Sequence, residues 1–261
     1  MSQRPNPLPR HHRWRTNLIN IPVMTVITIA CGSLSLLVSI VEREGRIQHQ
    51  ISRIWALLCI WASGCRLIVR GAENLRKYPV AVYASNHTSY MDAPVIYAAL
   101  PFQFRIIARK QLWGVPFIGW HLNRSGQIPI DTSNPHASLA SLGGGVKALC
   151  SGMRMFVFPE GGRTSDGELR PFLSGAAYLA IRAQVPLVPI ALCGVFDLLP
   201  IHTHHLYPVK LTVRVGEPIE TTGMTPHQIN ELTARLRDDI EALKQQEKRD
   251  SERSTTGAAR A

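Results

Sequence analysis

Run length and alternation of apolar positions divide the chain into two unlike parts. Leu18–Val41 ("LINIPVMTVITIACGSLSLLVSIV") is 24 residues without a charged side chain. As a helix rising ~1.5 Å per residue it is long enough to cross a hydrocarbon core of ~30 Å. It exceeds the apolar region of a signal peptide, and no small-residue cleavage site ends it. A second apolar run, Ile54–Val69 ("IWALLCIWASGCRLIV"), follows the polar stretch "EREGRIQHQISR". Residues 1–70 are therefore expected to form a membrane anchor of one or two apolar helices, a hairpin or a re-entrant element.

From Gly71 the pattern changes to that of an α/β body. Short apolar runs at Val80–Ala84, Phe104–Ala108, Gln127–Ile130, Met155–Phe158 and Val185–Leu192 read as buried strands separated by helix-length stretches. In "PVKLTVRVGEP", Val209, Leu211, Val213 and Val215 alternate with Pro208, Lys210, Thr212 and Arg214, which predicts a strand with one wet face. Thr225-Pro226-His227-Gln228 is a capping box with proline at the first helical position. Ile229, Leu232, Leu236, Ile240 and Leu243 continue it as an amphipathic helix. The body is expected over 71–247, and the polar residues 248–261 as a disordered tail.

Composition refines this division. A chain of 261 residues, 45% hydrophobic, can bury a sizeable core. Its net charge of +11 is uneven: residues 1–70 hold nine Arg against Glu42 and Glu44. Arg4, Arg10, Arg13 and Arg15 precede the first apolar run and Arg66 lies near the end of the second, so both outer ends are expected on the cytosolic side. The body is only mildly basic and has no aromatic RNA-binding motif, which argues against a nucleic-acid partner. Cys31, Cys59, Cys65, Cys150 and Cys193 lie mostly in apolar runs without a Cys-x-x-Cys pair, and read as small buried hydrophobes in a reducing compartment.

Several chemistries are set aside. There is no Gly-x-Ser-x-Gly elbow and no Gly-x-x-x-x-Gly-Lys-[Ser/Thr] phosphate loop. "GGGVKA" at Gly143–Ala148 matches a dinucleotide fingerprint in form but lies within a helical pattern. "HTHH", His202–His205, lacks the Cys or carboxylate company of a metal site and reads as a solvated loop. Two stretches remain. "SNHTSYMD", Ser85–Asp92, allows two readings: Ser89 and Asp92 fit a helix start, while His87 and Asp92 fit a base with its orienting acid. Taken alone, the octapeptide favours the helix start. "MFVFPEGGRTSDGELRPF" ends a strand in Pro159 and releases Glu160, two glycines and Arg163 into a loop, which suits either an anion site or an ordinary charged turn.

Both stretches resemble motifs of the glycerolipid acyltransferases. "NHTSYMD" is similar to their Asn-His-x-x-x-x-Asp and "FPEGGR" to their Phe-Pro-Glu-Gly-x-Arg, with "ARKQLWGVPFIGW…GQIPID" and "VPLVPIAL" similar to the second and fourth blocks. All four occur in family order over roughly residues 70–220, and the pattern resembles the bacterial-type 1-acyl-sn-glycerol-3-phosphate acyltransferases. The resemblance implies that family's α/β fold, with a mostly parallel or mixed central sheet flanked by helices. It also implies transfer of a fatty acyl group from acyl carrier protein or coenzyme A, as co-substrate, to the free hydroxyl of lysophosphatidic acid, giving phosphatidic acid. No metal and no resident cofactor are needed.

His87 is the implied general base, with Asp92 orienting its ring and stabilising the imidazolium. Because one continuous helix would hold these two side chains apart, the motif should straddle a strand–helix junction. Arg163, with Lys110 or Arg109, would hold the acceptor phosphate, and Glu160, Gly161 and Asn86 complete the implied substrate-binding set. The expected partners are the lipid membrane, a lysophospholipid acceptor and the thioester donor. The expected location is a bacterial inner membrane, with the active site facing the cytoplasm.

The chain also departs from the pattern. Thr132 stands where the second block usually ends in arginine, so Arg124 or Lys110 would have to compensate; Gly162 replaces a threonine, and Leu173 stands where lysine is common. These changes keep a second acceptor in view, such as lyso-ornithine lipid. A non-catalytic basic membrane-surface protein is the remaining alternative.

Overall fold

The computed structural model describes residues 14–42, 44–131, 135–201, 203 and 205–258. Thr132, His202, His204 and the arginines before Trp14 lie outside them. A π-helical turn at Thr16–Asn20 leads into helix α1 (Ile21–Val38). Only 6% of the apolar stretch Thr16–Val38 is buried inside the molecule, and it is long enough to cross a membrane. Helix α2 (Arg46–Ser63) runs back beside it.

The second apolar run is not one helix. Gly64, at φ +75°, ends α2 by donating its N–H to the carbonyls of Ile60 and Trp61, the left-handed stop that glycine adopts without a Cβ penalty. The chain then enters strand β1 (Arg66–Arg70). Helix α2 is amphipathic: Ile51, Ala56, Cys59 and Ile60 are buried, while Ile54 and Trp61 are exposed. An apolar anchor and a separate body do not divide at residue 70 as the run lengths suggest, since β1 pairs in parallel with β7. Deleting residues 1–70 would strip an edge strand and the α2 packing. Each fully buried aliphatic side chain contributes about 1.5–3 kcal/mol to a margin of about 5–15 kcal/mol. We expect that truncation to aggregate, and deletion of residues 1–42 to retain native far-ultraviolet circular dichroism and a cooperative melt; comparing the two proteins in detergent checks this.

Beyond β1, the sheet is built from β2 (Val82–Ser85), β3 (Phe104–Arg109), β4 (Ile128–Ile130), β5 (Arg154–Val157), β6 (Leu187–Cys193) and β7 (Lys210–Val215). The strand order is β1-β7-β6-β2-β5-β3-β4. Every pairing is parallel except β6 with β7. Helices α3 (Asp92–Ala99), α4 (Ile118–Arg124), α5 (Pro135–Cys150), α6 (Gly175–Ala183), α7 (Val195–Leu198) and α8 (Ile229–Ala258) complete the chain. The "GGGVKA" segment lies within α5, as its helical pattern predicts.

Two apolar layers enclose the sheet. Helices α2 and α3 pack on one face, with Ala56, Cys59, Val95 and Ile96 against Tyr83 and Phe104. Helices α5, α6 and α8 pack on the other, with Leu149, Leu179, Leu232 and Leu236 against Val82, Met155 and Leu187. Continuous apolar runs are what strands covered on both faces require.

Two expectations fail at the far end of the chain. Thr212 and Arg214 of β7 are 2% and 7% exposed, so the polar face of that strand is dry. Helix α8 covers it: Glu247 accepts from Thr212 Oγ1 at 2.9 Å and from Arg214 Nη2 at 2.8 Å, and Arg70 of β1 joins the pair at 3.2 Å. That requires a longer helix than the periodicity suggests. Helix α8 continues to Ala258, where a disordered tail is expected from residue 248. Its start agrees with the sequence, with the Thr225–Gln228 capping box formed.

Candidate active site

The neighbours of β2 in the sheet are β5 and β6, and strand ends at such a central position open the crevice in which α/β sheets bind ligands. His87 follows the end of β2 by two residues, and Glu160 follows the end of the adjacent β5 by three. The pairing of these strands therefore brings the two motifs together.

The helix-start and catalytic readings of "SNHTSYMD" hold at once. Asp92 is the first residue of α3, and its Oδ2 accepts backbone N–H bonds from Thr88 at 2.6 Å and Ser89 at 2.8 Å. The same oxygen accepts His87 Nδ1 at 2.7 Å. The motif spans a strand–helix junction, and its loop curls back so that side chains five apart in sequence meet. Asp92 is fully buried, whereas the His87 side chain is 17% exposed, leaving the ring reachable from outside. Phe158 stacks on that ring at 4.1 Å between centroids and 22° between planes, fixing its plane. With Nδ1–H committed to Asp92, Nε2 is left as the nitrogen that can take a proton.

Glu160 has a different task from the one expected. Its two oxygens accept the backbone N–H of His87 at 2.7 Å and of Arg170 at 3.1 Å, so the carboxylate splints one motif loop to the other. A further bond runs from Thr164 N–H to the His87 carbonyl at 3.2 Å. Burial raises the Glu160 carboxyl above the usual carboxylate range, opposed by its two backbone donors. Asn86 is likewise structural: its Nδ2 donates to the Leu192 carbonyl at 3.0 Å and its Oδ1 accepts Leu192 N–H at 2.8 Å, tying β2 to β6. With its side chain fully committed, Asn86 is a positioning residue rather than a substrate ligand.

The cationic side of the site is made by Arg163 and Arg109. The Arg163 guanidinium lies 3.9 Å above the Tyr90 ring. Burial pushes it below its ordinary value, the proximity of Arg109 acts in the same direction, and Tyr90 and Asp92 oppose the shift. Two cations close enough to disfavour each other are suited to an anion between them. Arg109 also donates to the Gly161 carbonyl from Nε at 3.0 Å and from Nη2 at 2.5 Å, shaping the loop. Gly161 stands at φ +66°, and a Cβ there would press on Leu173, so this turn needs glycine. Its N–H donates to Phe158 at 3.2 Å, which makes Gly161 part of the loop frame. Lys110 is exposed at the start of a short 3-10 turn, and Arg124 ends α4, away from the motif loops in the chain.

Tyr90 and Phe158 were not among the residues expected from sequence, although each is an aromatic inside a motif. Tyr90 and Met91 also border a cavity of about 740 Å3 whose far wall is α1, through Ile21, Met24, Thr25, Thr28 and Ile29. An apolar groove thus runs from the membrane helix to the His87 loop.

These features agree with what the chain is similar to. A family model described as Acyltransferase matches residues 66–193, from the first strand to the end of β6. A 1-acyl-sn-glycerol-3-phosphate acyltransferase of Limnanthes alba is 32% identical over 69% of this chain and 64% of its own length, so the chain spans just under two-thirds of that relative. The enzyme of that name from Saccharomyces cerevisiae is 29% identical over 85% of this chain and 76% of its own length. The crystal structure of the 1-acyl-sn-glycerophosphate (LPA) acyltransferase PlsC from Thermotoga maritima superposes with a TM-score of 0.73, covering 89% of this chain and 98% of that one at 21% identity, which establishes a shared fold. The human 1-acyl-sn-glycerol-3-phosphate acyltransferase alpha is 31% identical over 72% of this chain and 67% of its own length. With that relative so covered and the motif loops closed on one another, the chain belongs to the 1-acyl-sn-glycerol-3-phosphate acyltransferase family.

Proposed function

We propose that this protein transfers a fatty acyl group from acyl carrier protein or coenzyme A to the free hydroxyl of lysophosphatidic acid, forming phosphatidic acid. The observation that carries the reading is the 2.7 Å His87–Asp92 bond, set beside Arg163 at the mouth of an apolar groove. His87 Nε2 takes the proton of the acceptor hydroxyl as its oxygen attacks the thioester carbonyl carbon. The new C–O bond forms, the C–S bond breaks, and the imidazolium returns the proton to the departing thiolate. Asp92 holds the tautomer and stabilises the transient cation. No acyl-enzyme is needed. Arg163 and Arg109 hold the acceptor phosphate, and holding it fixes the distance of the hydroxyl from Nε2. The groove against α1 suits an acyl chain still in the bilayer. The reaction takes place at a bacterial inner membrane, on its cytoplasmic side.

A second acceptor keeps some support from sequence and packing. Thr132 replaces the usual arginine, and Leu173, in place of a common lysine, lies against Gly161. Two fewer cations favour a zwitterionic lyso-lipid such as lyso-ornithine lipid.

Arg163→Lys separates the acceptors. The lysine keeps the charge but loses the two-pronged geometry and part of the stack on Tyr90. The Michaelis constant for a phosphate-bearing acceptor should rise about tenfold or more, with the donor constant changed much less. Steady-state kinetics with each substrate varied, across a panel of lyso-lipids, tests this. Equal weakening toward lysophosphatidic acid and a phosphate-free lyso-lipid would remove the phosphate clamp. A wild-type enzyme that ignores lysophosphatidic acid and acylates another lyso-lipid would transfer the assignment to that acceptor.

A further inference from the structure

The stretch between β3 and β4 exposes a cluster of large apolar side chains that the reaction does not use. Phe117 and Trp120 are 52% and 55% exposed, with Leu112, Val115 and Ile118 exposed beside them. This cluster is built, not frayed. Phe117 stands at φ +63° and ψ −51°, and the Ile118 N–H donates to the Pro116 carbonyl at 2.7 Å, forming the rare γ-turn that is strained for a residue with a side chain. Strain of this kind persists only where surrounding structure enforces it. Here Gly119 packs directly on the Trp113 backbone, with no room for a Cβ. The result is a rigid knob that turns the Phe117 ring outward, 5.3 Å from the Trp120 ring.

Two observations name the occupant of this surface. The knob is continuous with the apolar helix α1, because His121, next to Trp120, bonds Ser35 of α1 through Nδ1 at 2.8 Å and reaches Ser52 of α2 through Nε2 at 3.3 Å. The surrounding chain is cationic: no acidic residue occurs between Asp92 and Asp131, while Lys110 and Arg124 are exposed at the two ends of the knob. Aromatic rings flanked by Lys and Arg are the composition that settles at the headgroup level of an anionic membrane.

We infer that residues 110–124 form a second membrane contact, in which Phe117 and Trp120 enter the headgroup–acyl boundary of a bilayer containing anionic lipid while Lys110 and Arg124 meet its headgroups. The inference rests on the membrane location proposed above but not on the reaction. It gives the catalytic body its own seat on the membrane, so that α1 and the knob together fix which way the groove faces.

The test uses the full-length protein in phosphatidylcholine–phosphatidylglycerol vesicles carrying brominated acyl chains, which quench tryptophan emission on contact. The difference between wild type and Trp120→Phe isolates the emission of Trp120 from that of the other four tryptophans. That difference should be blue-shifted and largely quenched, with quenching reduced when phosphatidylglycerol is replaced by phosphatidylcholine. Phe117→Gly, which suits the positive φ and removes the ring, should restore much of the Trp120 emission while circular dichroism stays native. Quenching confined to the other tryptophans would overturn the second contact and leave the anchor standing. A blue-shifted but unquenched Trp120 would overturn it in favour of a second copy of the chain covering the knob. If no tryptophan is quenched, the membrane location falls and the inference with it.

Discussion

His87→Ala should lower turnover by roughly 10²–10⁴-fold with little change in membrane binding or melting temperature. The magnitude follows from the role assigned to the ring. An alcohol is a poor nucleophile until its proton leaves during attack, and no other free base faces the crevice from these loops: Asp92 is fully buried and Glu160 is spent on two backbone donors. The ring adds little to stability, being partly exposed and held by Phe158 and one hydrogen bond. The check is turnover at saturating donor and acceptor, with thermal melts on the same preparations. Near-normal turnover in folded mutant protein would return the octapeptide to a simple helix start.

Asp92→Asn should cost a comparable factor, on the order of 10²–10⁴, and for a more specific reason. The amide oxygen can still accept the Thr88 and Ser89 N–H groups that aspartate accepts, so the loop keeps its shape. The amide NH2 facing the ring instead demands an acceptor at Nδ1. That places the imidazole proton on Nε2, where the base needs a lone pair. The loss should therefore fall on turnover rather than on the Michaelis constant of either substrate. If both Michaelis constants rise and turnover holds, Asp92 is shaping the loop and does not orient the base.

Much of the site was legible because its residues sit next to the signals that locate them. A buried strand followed by a polar loop and an acid at a helix start implies a junction, and a junction is what lets His87 and Asp92 meet. The convergence of the two motifs depends instead on β2 lying beside β5, a pairing about 70 residues apart that no local pattern encodes. For the same reason Asn86 and Glu160 read as ligands from sequence, when their partners are the Leu192, His87 and Arg170 backbones. Phe158 and Tyr90 looked like ordinary aromatic neighbours until the fold laid one on the imidazole and the other under a guanidinium.

The remaining misreadings share a cause. Hydropathy alone merged the α2 helix with β1, although Gly64 marks the stop between them. Alternation gave β7 a wet face because polar residues were taken as solvated. Thr212 and Arg214 are instead matched by Glu247, on a helix whose charged sequence resembled a tail. Polar residues satisfied by other polar residues leave no hydrophobic trace in a sequence.

The central claim is direct acyl transfer to an acceptor hydroxyl with His87 as the base. It is tested most directly by incubating purified wild-type and His87→Ala protein with radiolabelled acyl thioester and lysophosphatidic acid, then separating lipids from protein. The account predicts label in phosphatidic acid with the wild type, a rate lower by roughly two orders of magnitude or more with the variant, and no label on the polypeptide. Label trapped covalently on the protein, or equal rates of product formation by the two proteins, would contradict it.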